Sequence, residues 1–373
     1  MVARLSPATH HRLIVKVGSS LLIDAQGDVR RHWLATLVAD IAARRAGGQQ
    51  ILIVSSGAIA LGARRLGLEK GGRASLEDAQ AAAATGQIAL SQCWAELLGE
   101  KAMTAAQILV TLDDLEDRRR YLNASATLQR LIGLGVVPVI NENDSVATEE
   151  IRFGDNDRLA ARIAQAAGAS GVVLLSDVDG LYTADPSLDP QATRLAQVDR
   201  IDKRILAMAG SGTSSGMGSG GMASKIEAAR IATAAGVDLM IVSGQHDNPL
   251  SRLETENCGT IFQADKAQTA RKAWLAGRLT VKGSATIDAG AVAALRSGSS
   301  LLAAGVKQVD GKFVRGDVIN IQSTEGEVIG RGLAEYDALD AARICGLRSE
   351  KLAAVLRYAP RAAFIHRDHM VLL

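Results

Sequence analysis

Two lysines in this 373-residue chain stand where a lysine can meet a phosphate group. Lys16 lies near the end of the apolar run Leu13–Val17 and is followed by Gly18 and two serines, and Lys225 follows the glycine-rich segment Gly210–Gly221. Backbone amides in a glycine turn before a helix point toward an anion, and an ammonium group adds charge. The pattern indicates phosphate binding, although a solvated lysine or a flexible linker would look the same.

Polar residues also follow two other apolar runs. The hydroxyl groups after Ile51–Val54, including that of Ser56, suit a carboxylate or a phosphate, or an ordinary helix N-cap. Ser176 and Asp177 follow Gly171–Leu175 and suit a loop against a nucleotide, or a plain β-turn. Each pattern alone leaves the choice between a ligand site and turn chemistry open.

Acidic and amide side chains are concentrated in two neighbouring clusters. The first follows Val136–Ile140 and ends at Asp144, and the second ends at Asp157, before a helical stretch. One carboxylate could receive the ammonium group of a substrate, and another could orient lysines or hold a magnesium ion through water. A helix cap is the alternative for Asp157.

Three familiar motifs are matched only in part, and none is accepted. Gly216, Gly218 and Gly221 fit the dinucleotide-binding pattern, but a helical segment precedes them in place of a strand. The Walker pattern fails because Ser224 precedes Lys225 where glycine is required. The tail sequence His-Arg-Asp lacks the following asparagine of a protein-kinase catalytic loop, so a terminal strand is the better interpretation.

Short apolar runs alternate with alanine-rich stretches through the first two-thirds of the chain. The runs predicted as strands are Leu13–Val17, Ile51–Val54, Val136–Ile140, Gly171–Leu175 and Leu239–Val242. The stretches predicted as helices include Ala79–Leu98, Arg158–Ala167 and Ser224–Ala235. This alternation predicts an α/β fold with a mainly parallel sheet covered on both faces. Ligands bind at the carboxyl ends of such strands, where the polar clusters fall.

The last third of the chain has a different character. Residues 266–277 are predicted as a linker, and 278–298, 312–322 and 326–336 as short strands of a small β-rich barrel, with a helix and a final strand at the tail. Residues 266–373 carry 16 basic and 10 acidic side chains, a balance of +6 in a chain of net charge +2. This asymmetry suits a polyanion-binding module or a solvated basic surface. Aromatic residues make up only 3%, which argues against a base-stacking platform.

Cysteine content and hydropathy bear on the compartment. The three cysteines are odd in number and far apart, which predicts a reducing compartment and neither a disulfide framework nor a zinc site. No stretch approaches the roughly 20 apolar residues that span a bilayer. The amino terminus also lacks the apolar core of a signal peptide. We therefore expect a cytoplasmic protein with no membrane partner.

Six ordered stretches resemble the amino-acid kinase family. They are IVKVGSSLL, VSSGAIALG, VPVINENDSVAT, FGDNDRLAA, LLSDVDGLYTADP and GMGSGGMASKIEAA. The stretch IDAGAVAALRSGSSLL, followed by GKFVRGDVI, resembles the PUA module that some members carry after the kinase domain. The likeness runs from Leu13 to Leu372. Ser19, Ser176 and Ser219 stand where threonine is common in the family, and each keeps the hydroxyl group.

The resemblance implies a three-layer αβα amino-acid kinase fold over residues 1–265, and a small β-rich PUA barrel with its tail over residues 278–373. It also implies phosphoryl transfer from ATP to a side-chain carboxylate. Members that share all these features act on free L-glutamate, giving L-glutamyl 5-phosphate in the first step of proline synthesis. A related kinase acting on N-acetylglutamate or aspartate, or an RNA-binding PUA protein, is the alternative, and RNA is not the expected partner.

The same resemblance implies roles for individual residues. The implied catalytic residues are Lys16 and Lys225, on the transferred phosphoryl group, and Asp157, which would orient both lysines. The residues implied to bind glutamate are Ser56, Asp144 and Asn156, with Asp144 at its α-ammonium group. The residues implied to bind ATP are Lys16, Gly18, Ser176, Asp177, Gly218, Ser219, Gly220, Gly221, Met222, Ala223, Ser224 and Lys225.

The resemblance also carries expectations about cofactors and partners. Mg²⁺ would bridge the β- and γ-phosphates of ATP, with no residue assigned as a direct metal ligand. Proline is expected to inhibit in competition with glutamate. The chain is expected to form a homo-oligomer, a dimer or a tetramer, and to be coupled functionally to glutamyl phosphate reductase.

Overall fold

The computed structural model of the chain describes residues 5–24, 26–146, 156–209, 221–255, 258–264, 281–361 and 363–372. The chain divides into two compact units, residues 1–265 and 266–373. The predicted linker 266–277 lies outside the described residues, so the predicted domain bounds stay a prediction.

An eight-stranded sheet forms the centre of the first unit. Its strands are β1 (Arg12–Val17), β2 (Gln50–Val54), β3 (Ala105–Val110), β4 (Val137–Glu142), β5 (Gly171–Ser176), β6 (Gln197–Val198), β7 (Asp238–Ser243) and β8 (Thr260–Phe262). Their order in space is β3-β4-β2-β1-β5-β7-β8-β6. The six strands from β3 to β7 in this spatial order are parallel, and β8 runs antiparallel to β7. The mainly parallel sheet is confirmed, and all five predicted strands are present.

Helices cover both faces of this sheet. They are α1 (Ser19–Leu22), α2 (Arg31–Ala46), α3 (Ala58–Leu66), α4 (Leu76–Gly99), α5 (Leu112–Glu116), α6 (Arg118–Gly133), α7 (Asn156–Ala167), α8 (Lys203–Met208), α9 (Met222–Ala234) and α10 (Pro249–Thr255). Alternate residues of β1 enter opposite cores: Val15 joins the cluster that includes α2 and α4, and Ile14 joins the cluster that includes α7 and α9. Both faces of β1 are apolar because both are covered. The three-layer αβα arrangement is therefore confirmed.

Helices α3 and α4 cross without intervening side chains. A Cβ atom on Gly62 would overlap the carbonyl oxygen of Ala82, and one on Gly86 would overlap that of Ala58. Only glycine permits backbones to approach this closely. Because α3 begins directly after Ser56 and Gly57, the crossing fixes α4 beside the carboxyl end of β2.

The second unit has its own five-stranded sheet, in the order β10-β9-β11-β12-β13. Its elements are β9 (Gly283–Ile287), α11 (Ala289–Arg296), β10 (Val306–Gly311), β11 (Val318–Ser323), β12 (Val328–Leu333), α12 (Ala338–Ile344), α13 (Ser349–Leu356) and β13 (Met370–Leu372). The prediction of strand throughout 278–298 was wrong over α11, where Asp288 accepts a hydrogen bond from the Ala291 amide and caps an alanine-rich helix. The tail has two helices where one was predicted, followed by the expected final strand.

Within the described residues, no helix combines the length and apolarity needed to cross a membrane.

Candidate active site

The carboxyl ends of the parallel strands meet at a cavity of about 650 Å³ in the first unit. Strand β1 pairs with β2 on one side and β5 on the other, so the loops after these strands diverge around it, as at the ligand-binding edge of other open α/β sheets. The predicted site residues that line the cavity include Lys16, Ser56, Asp144, Asn156, Ser176 and Lys225. The structure thus brings together residues that are up to 209 positions apart, from Lys16 to Lys225.

A buried charge cluster lies at the base of this cavity. The Nζ atom of Lys16 is 2.6 Å from one carboxylate oxygen of Asp157, and the Nζ atom of Lys225 is 3.1 Å from the other. Burial alone would raise the pKa of Asp157, but the positive charges of the two lysines outweigh it and hold the pKa below its ordinary value. Two lysines and one carboxylate leave a formal charge of +1, which favours an anion in the cavity.

Asp157 owes its place to the start of α7, where it is the second residue and is 1% exposed. Because Asp157 lies inside the helix, it is not the N-cap residue, although a carboxylate in the first helical turn interacts favourably with the helix dipole. The two lysines nevertheless occupy both of its oxygens. The contacts that the structure shows for Asp157 are therefore those of the charge cluster and not those of an N-cap.

Amide side chains form a second buried group beside the charge cluster. The Nδ2 atom of Asn156 donates to the carbonyl oxygen of Ser55 at 3.0 Å, to Ser56 Oγ at 2.9 Å and to Asn141 Oδ1 at 3.1 Å. Ser56 is followed by Gly57, whose φ of +93° turns the chain into α3. This left-handed turn, which glycine adopts without strain, places the Ser56 hydroxyl against Asn156.

Asp144 is a buried carboxyl group on the same cavity, and it is 6% exposed. Burial raises its pKa to about 6, and the charge of Arg73 only partly opposes this rise. Among the residues that the structure describes, its Oδ1 atom has no hydrogen-bond partner. A buried carboxylate in this condition is stabilised by a cation, and an ammonium group of a ligand would supply one.

The residues predicted to bind ATP lie on the other side of β1. The Gly18 amide donates to the carbonyl oxygen of Leu175 at 3.2 Å, and the Ser176 hydroxyl donates to Asp177 at 2.9 Å. The first turn of α9, which contains Met222, Ala223 and Ser224, follows Gly221. A helix amino terminus favours an anion because its N–H groups and dipole point outward. Gly218, Ser219 and Gly220 lie outside the described residues.

Three side chains at or near the cavity were not among the predicted site residues. Arg73 lines it beside Asp144, Trp94 donates to Ser55 Oγ at 3.0 Å, and Gln87 accepts from Asn141 at 2.7 Å. All three side chains come from α4 or from the segment before it, and neither directly follows one of the apolar strand runs. Only the chain reversal between α3 and α4 brings them to the site, and local sequence does not encode it.

Two family models match the chain. Residues 11–243 match the model of the amino acid kinase family, and residues 283–356 match the model of the PUA domain. The chain therefore belongs to the amino acid kinase family.

Individual relatives match over nearly the whole chain. "Glutamate 5-kinase" from Sphingopyxis alaskensis is 65% identical, over 98% of this chain and 99% of the relative. "Glutamate 5-kinase" from Zymomonas mobilis is 62% identical, over 98% of this chain and 92% of the relative. The protein of the same name from Novosphingobium aromaticivorans is 60% identical, over 100% and 99%. The similarity thus extends through both units.

Proposed function

We propose that this chain transfers the γ-phosphoryl group of ATP to the γ-carboxylate of L-glutamate and releases ADP and L-glutamyl 5-phosphate. The main support is one observation, that the buried Lys16–Asp157–Lys225 cluster and the buried Asp144 carboxyl group face a single cavity. Such a cavity offers positive charge for phosphate at one position and negative charge for an ammonium group at another. The names of the relatives supply the substrate.

The reaction needs charge neutralisation more than proton transfer. The γ-carboxylate of glutamate is ionised at neutral pH, so it can attack without a general base. One carboxylate oxygen forms a bond to the γ-phosphorus as the bond to the β,γ-bridging oxygen breaks, and ADP leaves with that electron pair. The obstacle is repulsion between two anions, which fixed positive charges reduce in the transition state.

The two lysines are proposed as the catalytic cations. Lys16 extends from the end of β1 and Lys225 from the first turns of α9, so they would approach the transferred group from two sides. Asp157 contacts both ammonium groups and would hold them in place. Because the lysines are already positioned before substrate binds, little reorganisation is required during transfer.

Glutamate is proposed to bind at the amide and carboxylate side of the cavity. Asp144 would take the α-ammonium group, and Ser56 and Asn156 would contact the substrate beside it. N-Acetylglutamate carries a neutral amide in place of the ammonium group, so it would leave the buried Asp144 charge without compensation. The arrangement therefore favours a free amino acid over its acetylated form.

ATP is proposed to bind along the loops after β1 and β5 and the start of α9. The residues assigned to it are Lys16, Gly18, Ser176, Asp177, Gly218, Ser219, Gly220, Gly221, Met222, Ala223, Ser224 and Lys225. Both oxygens of Asp157 face lysines, so this carboxylate is arranged for charge pairing and not for a metal ion. Magnesium would enter as part of the MgATP substrate, held by phosphate oxygens.

Further parts of the proposal concern regulation, assembly and location. Proline carries an ammonium group beside a carboxylate, as glutamate does, and would compete for Asp144. The product is an acyl phosphate prone to hydrolysis, which suits functional coupling to glutamyl phosphate reductase. We also propose a homo-oligomer, with a catalytic domain over 1–265 and a PUA domain over 278–373, joined by the linker 266–277. No disulfide joins the three cysteines, all of which lie in the described part of the chain, and this supports a cytoplasmic location.

A substrate comparison tests the proposal. ADP release is measured with L-glutamate, N-acetyl-L-glutamate and L-aspartate, and hydroxylamine is added to trap any acyl phosphate as a hydroxamate. We expect ADP release and hydroxamate with glutamate alone. Preferential turnover of N-acetylglutamate or aspartate would overturn the substrate assignment, and ADP release without hydroxamate would overturn the reaction.

A further inference from the structure

We propose that Gln87 is a positioning residue for the amino-acid substrate, and that it acts through Asn141 on Asn156. This inference rests on the proposed function, because it concerns the same site. Gln87 lies in the middle of α4 and is 9% exposed. Its side chain begins a chain of three amides that joins α4, the end of β4 and the start of α7.

The contact between the first two amides has a fixed direction. The Glu142 backbone N–H, which can only donate, is 2.9 Å from Asn141 Oδ1. The Nδ2 atom of Asn141 must therefore point the other way, where it donates to Gln87 Oε1 at 2.7 Å. Because Asn141 is 2% exposed, solvent cannot replace this acceptor. Gln87 thus satisfies a buried N–H group that would otherwise have lost its partner.

The contact between the second and third amides sets the orientation of Asn156. Its Nδ2 atom donates to Asn141 Oδ1 and to the carbonyl oxygen of Ser55, which can only accept. Its Oδ1 atom consequently faces away from both, and within the described residues this buried atom has no hydrogen-bond partner. Asn156 lines the cavity that also contains Asp144, and an amide oxygen of this residue is suited to accept from a substrate ammonium group.

Gln87 is itself held firmly. Its Nε2 atom donates to Ser91 Oγ at 3.0 Å, and the Ser91 hydroxyl donates to the Gln87 carbonyl oxygen at 2.7 Å. The preceding residue, Gly86, lies at the close crossing with α3. Both the side chain and the backbone of Gln87 are therefore fixed relative to the loop that carries Ser56.

The test compares three substitutions on α4. Gln87→Met keeps the length of the side chain and removes the acceptor, so Asn141 and then Asn156 lose their fixed positions. We expect the KM for glutamate to rise about tenfold, a loss of about 1.4 kcal/mol of binding, with kcat and the KM for ATP within about twofold of the parent chain. Gln87→Glu keeps an acceptor oxygen for Asn141 and should restore most of the glutamate affinity. Gln92→Met, the matched control, alters an exposed glutamine of the same helix and should leave all three constants unchanged.

The outcomes separate this inference from the proposed function. An unchanged KM for glutamate in Gln87→Met overturns the positioning role. An equal loss of glutamate affinity in Gln87→Met and Gln87→Glu also overturns it, if both variants melt at a lower temperature and kcat falls as much as affinity. That pattern indicates general damage to α4. If the parent chain itself releases no ADP with glutamate, the proposed function is what fails, and the same variants are then compared with the amino acid that the chain does use.

Discussion

Two carboxylates in this chain each lie between two basic side chains, one in each unit. Asp157 contacts Lys16 and Lys225 in the first unit. In the second unit, Glu335 has Arg315 Nε at 3.4 Å and His369 Nδ1 at 3.3 Å. Burial acts to raise the pKa of both carboxyl groups. In both, the basic neighbours outweigh burial and hold the pKa below its ordinary value.

The two clusters differ in what their basic groups face. Lys16 and Lys225 line the large cavity and leave the cluster with an excess of one positive charge. Glu335 instead connects two parts of its own unit, because His369 immediately precedes β13 and Glu335 follows β12. A buried charge cluster is therefore a candidate active site only where its cations also face space for a ligand; elsewhere the same contacts hold the tail of the chain.

The sharpest test of this comparison removes one cation from each cluster. Lys225→Ala should lower kcat by about 10²–10³-fold, as expected when one group that stabilises transition-state charge is lost, with a much smaller change in the KM for glutamate. Lys16→Ala should behave similarly. Arg315→Ala, the matched control in the second unit, should retain kcat. Steady-state ADP release measures all three, and near-normal turnover in either lysine variant would contradict the catalytic assignment.

A second test concerns the negative side of the cavity. Asp144→Asn keeps the shape of the side chain and removes its charge, so the ammonium group of glutamate loses a buried counter-ion. We expect the KM for glutamate to rise about 30-fold or more, while the KM for ATP stays close to that of the parent chain. Initial rates over a glutamate series give the answer. An unchanged KM for glutamate would remove Asp144 from the site.

The raised pKa of Asp144 also predicts a pH dependence. The carboxyl group must be ionised to receive an ammonium group, and its pKa in the free protein is about 6. As pH falls below 6, kcat/KM for glutamate should therefore decrease by about tenfold per pH unit, and above about pH 7 this group should cause no further change. Asp144→Asn should lose this limb of the profile; if the variant keeps it, another group is responsible.

The same group makes a prediction about stability. A carboxyl group whose folded pKa lies above its unfolded value binds protons more tightly in the folded state, so it favours folding at low pH and opposes folding once ionised. The rise in pKa from 3.8 to about 6 corresponds to a decrease of about 3 kcal/mol in the free energy of unfolding at neutral pH. Asp144→Asn should therefore melt at a higher temperature than the parent chain at pH 7. Calorimetry at pH 7 without ligand checks this, and a lower melting temperature would contradict it.

The smallest expected effect lies in the second unit. Glu335 has a lowered folded pKa, so its stabilisation is present above its ordinary pKa of 4.5 and is lost as pH falls through the folded value. Glu335→Gln should reduce stability at pH 7 by about 1–3 kcal/mol and leave ADP release unchanged. Thermal melts at pH 7 and at progressively lower pH should show the difference from the parent chain shrinking. A large loss of kcat would break the distinction between the two clusters.

Much of the fold could be predicted from the sequence because the central strands are buried on both faces. Continuous apolar runs such as Ile51–Val54 have no solvent-facing residues to interrupt them, and the polar residues that follow them fall at the carboxyl edge of the sheet. Strand β3 was missed for the opposite reason. It lies at the end of the sheet, begins with two alanines and is partly exposed along its length, so its residues give no continuous apolar run.

The site itself could be predicted only in part. Lys16 and Asp144 lie beside apolar runs, so their positions at the sheet edge follow from the strands. The partners of Asp157 were harder to predict from the sequence, because an acidic residue at the start of a helix fits a helix cap equally well. Gln87 gave no signal at all: it lies in an alanine-rich helix, and its contact with Asn141 is between residues 54 positions apart. Its importance depends on tertiary packing alone.

The glycine crossing of α3 and α4 limits how this chain can vary. Every replacement of Gly62 or Gly86 adds a Cβ atom that overlaps a carbonyl oxygen of the facing helix, so the chemical nature of the new side chain hardly matters. A scan of all substitutions at these two positions should consequently find alanine and serine nearly as damaging as larger residues. Tolerance to substitution at the crossing is therefore set by a single atom, the Cβ atom. No smaller side chain exists that would let the two helices move apart in small steps.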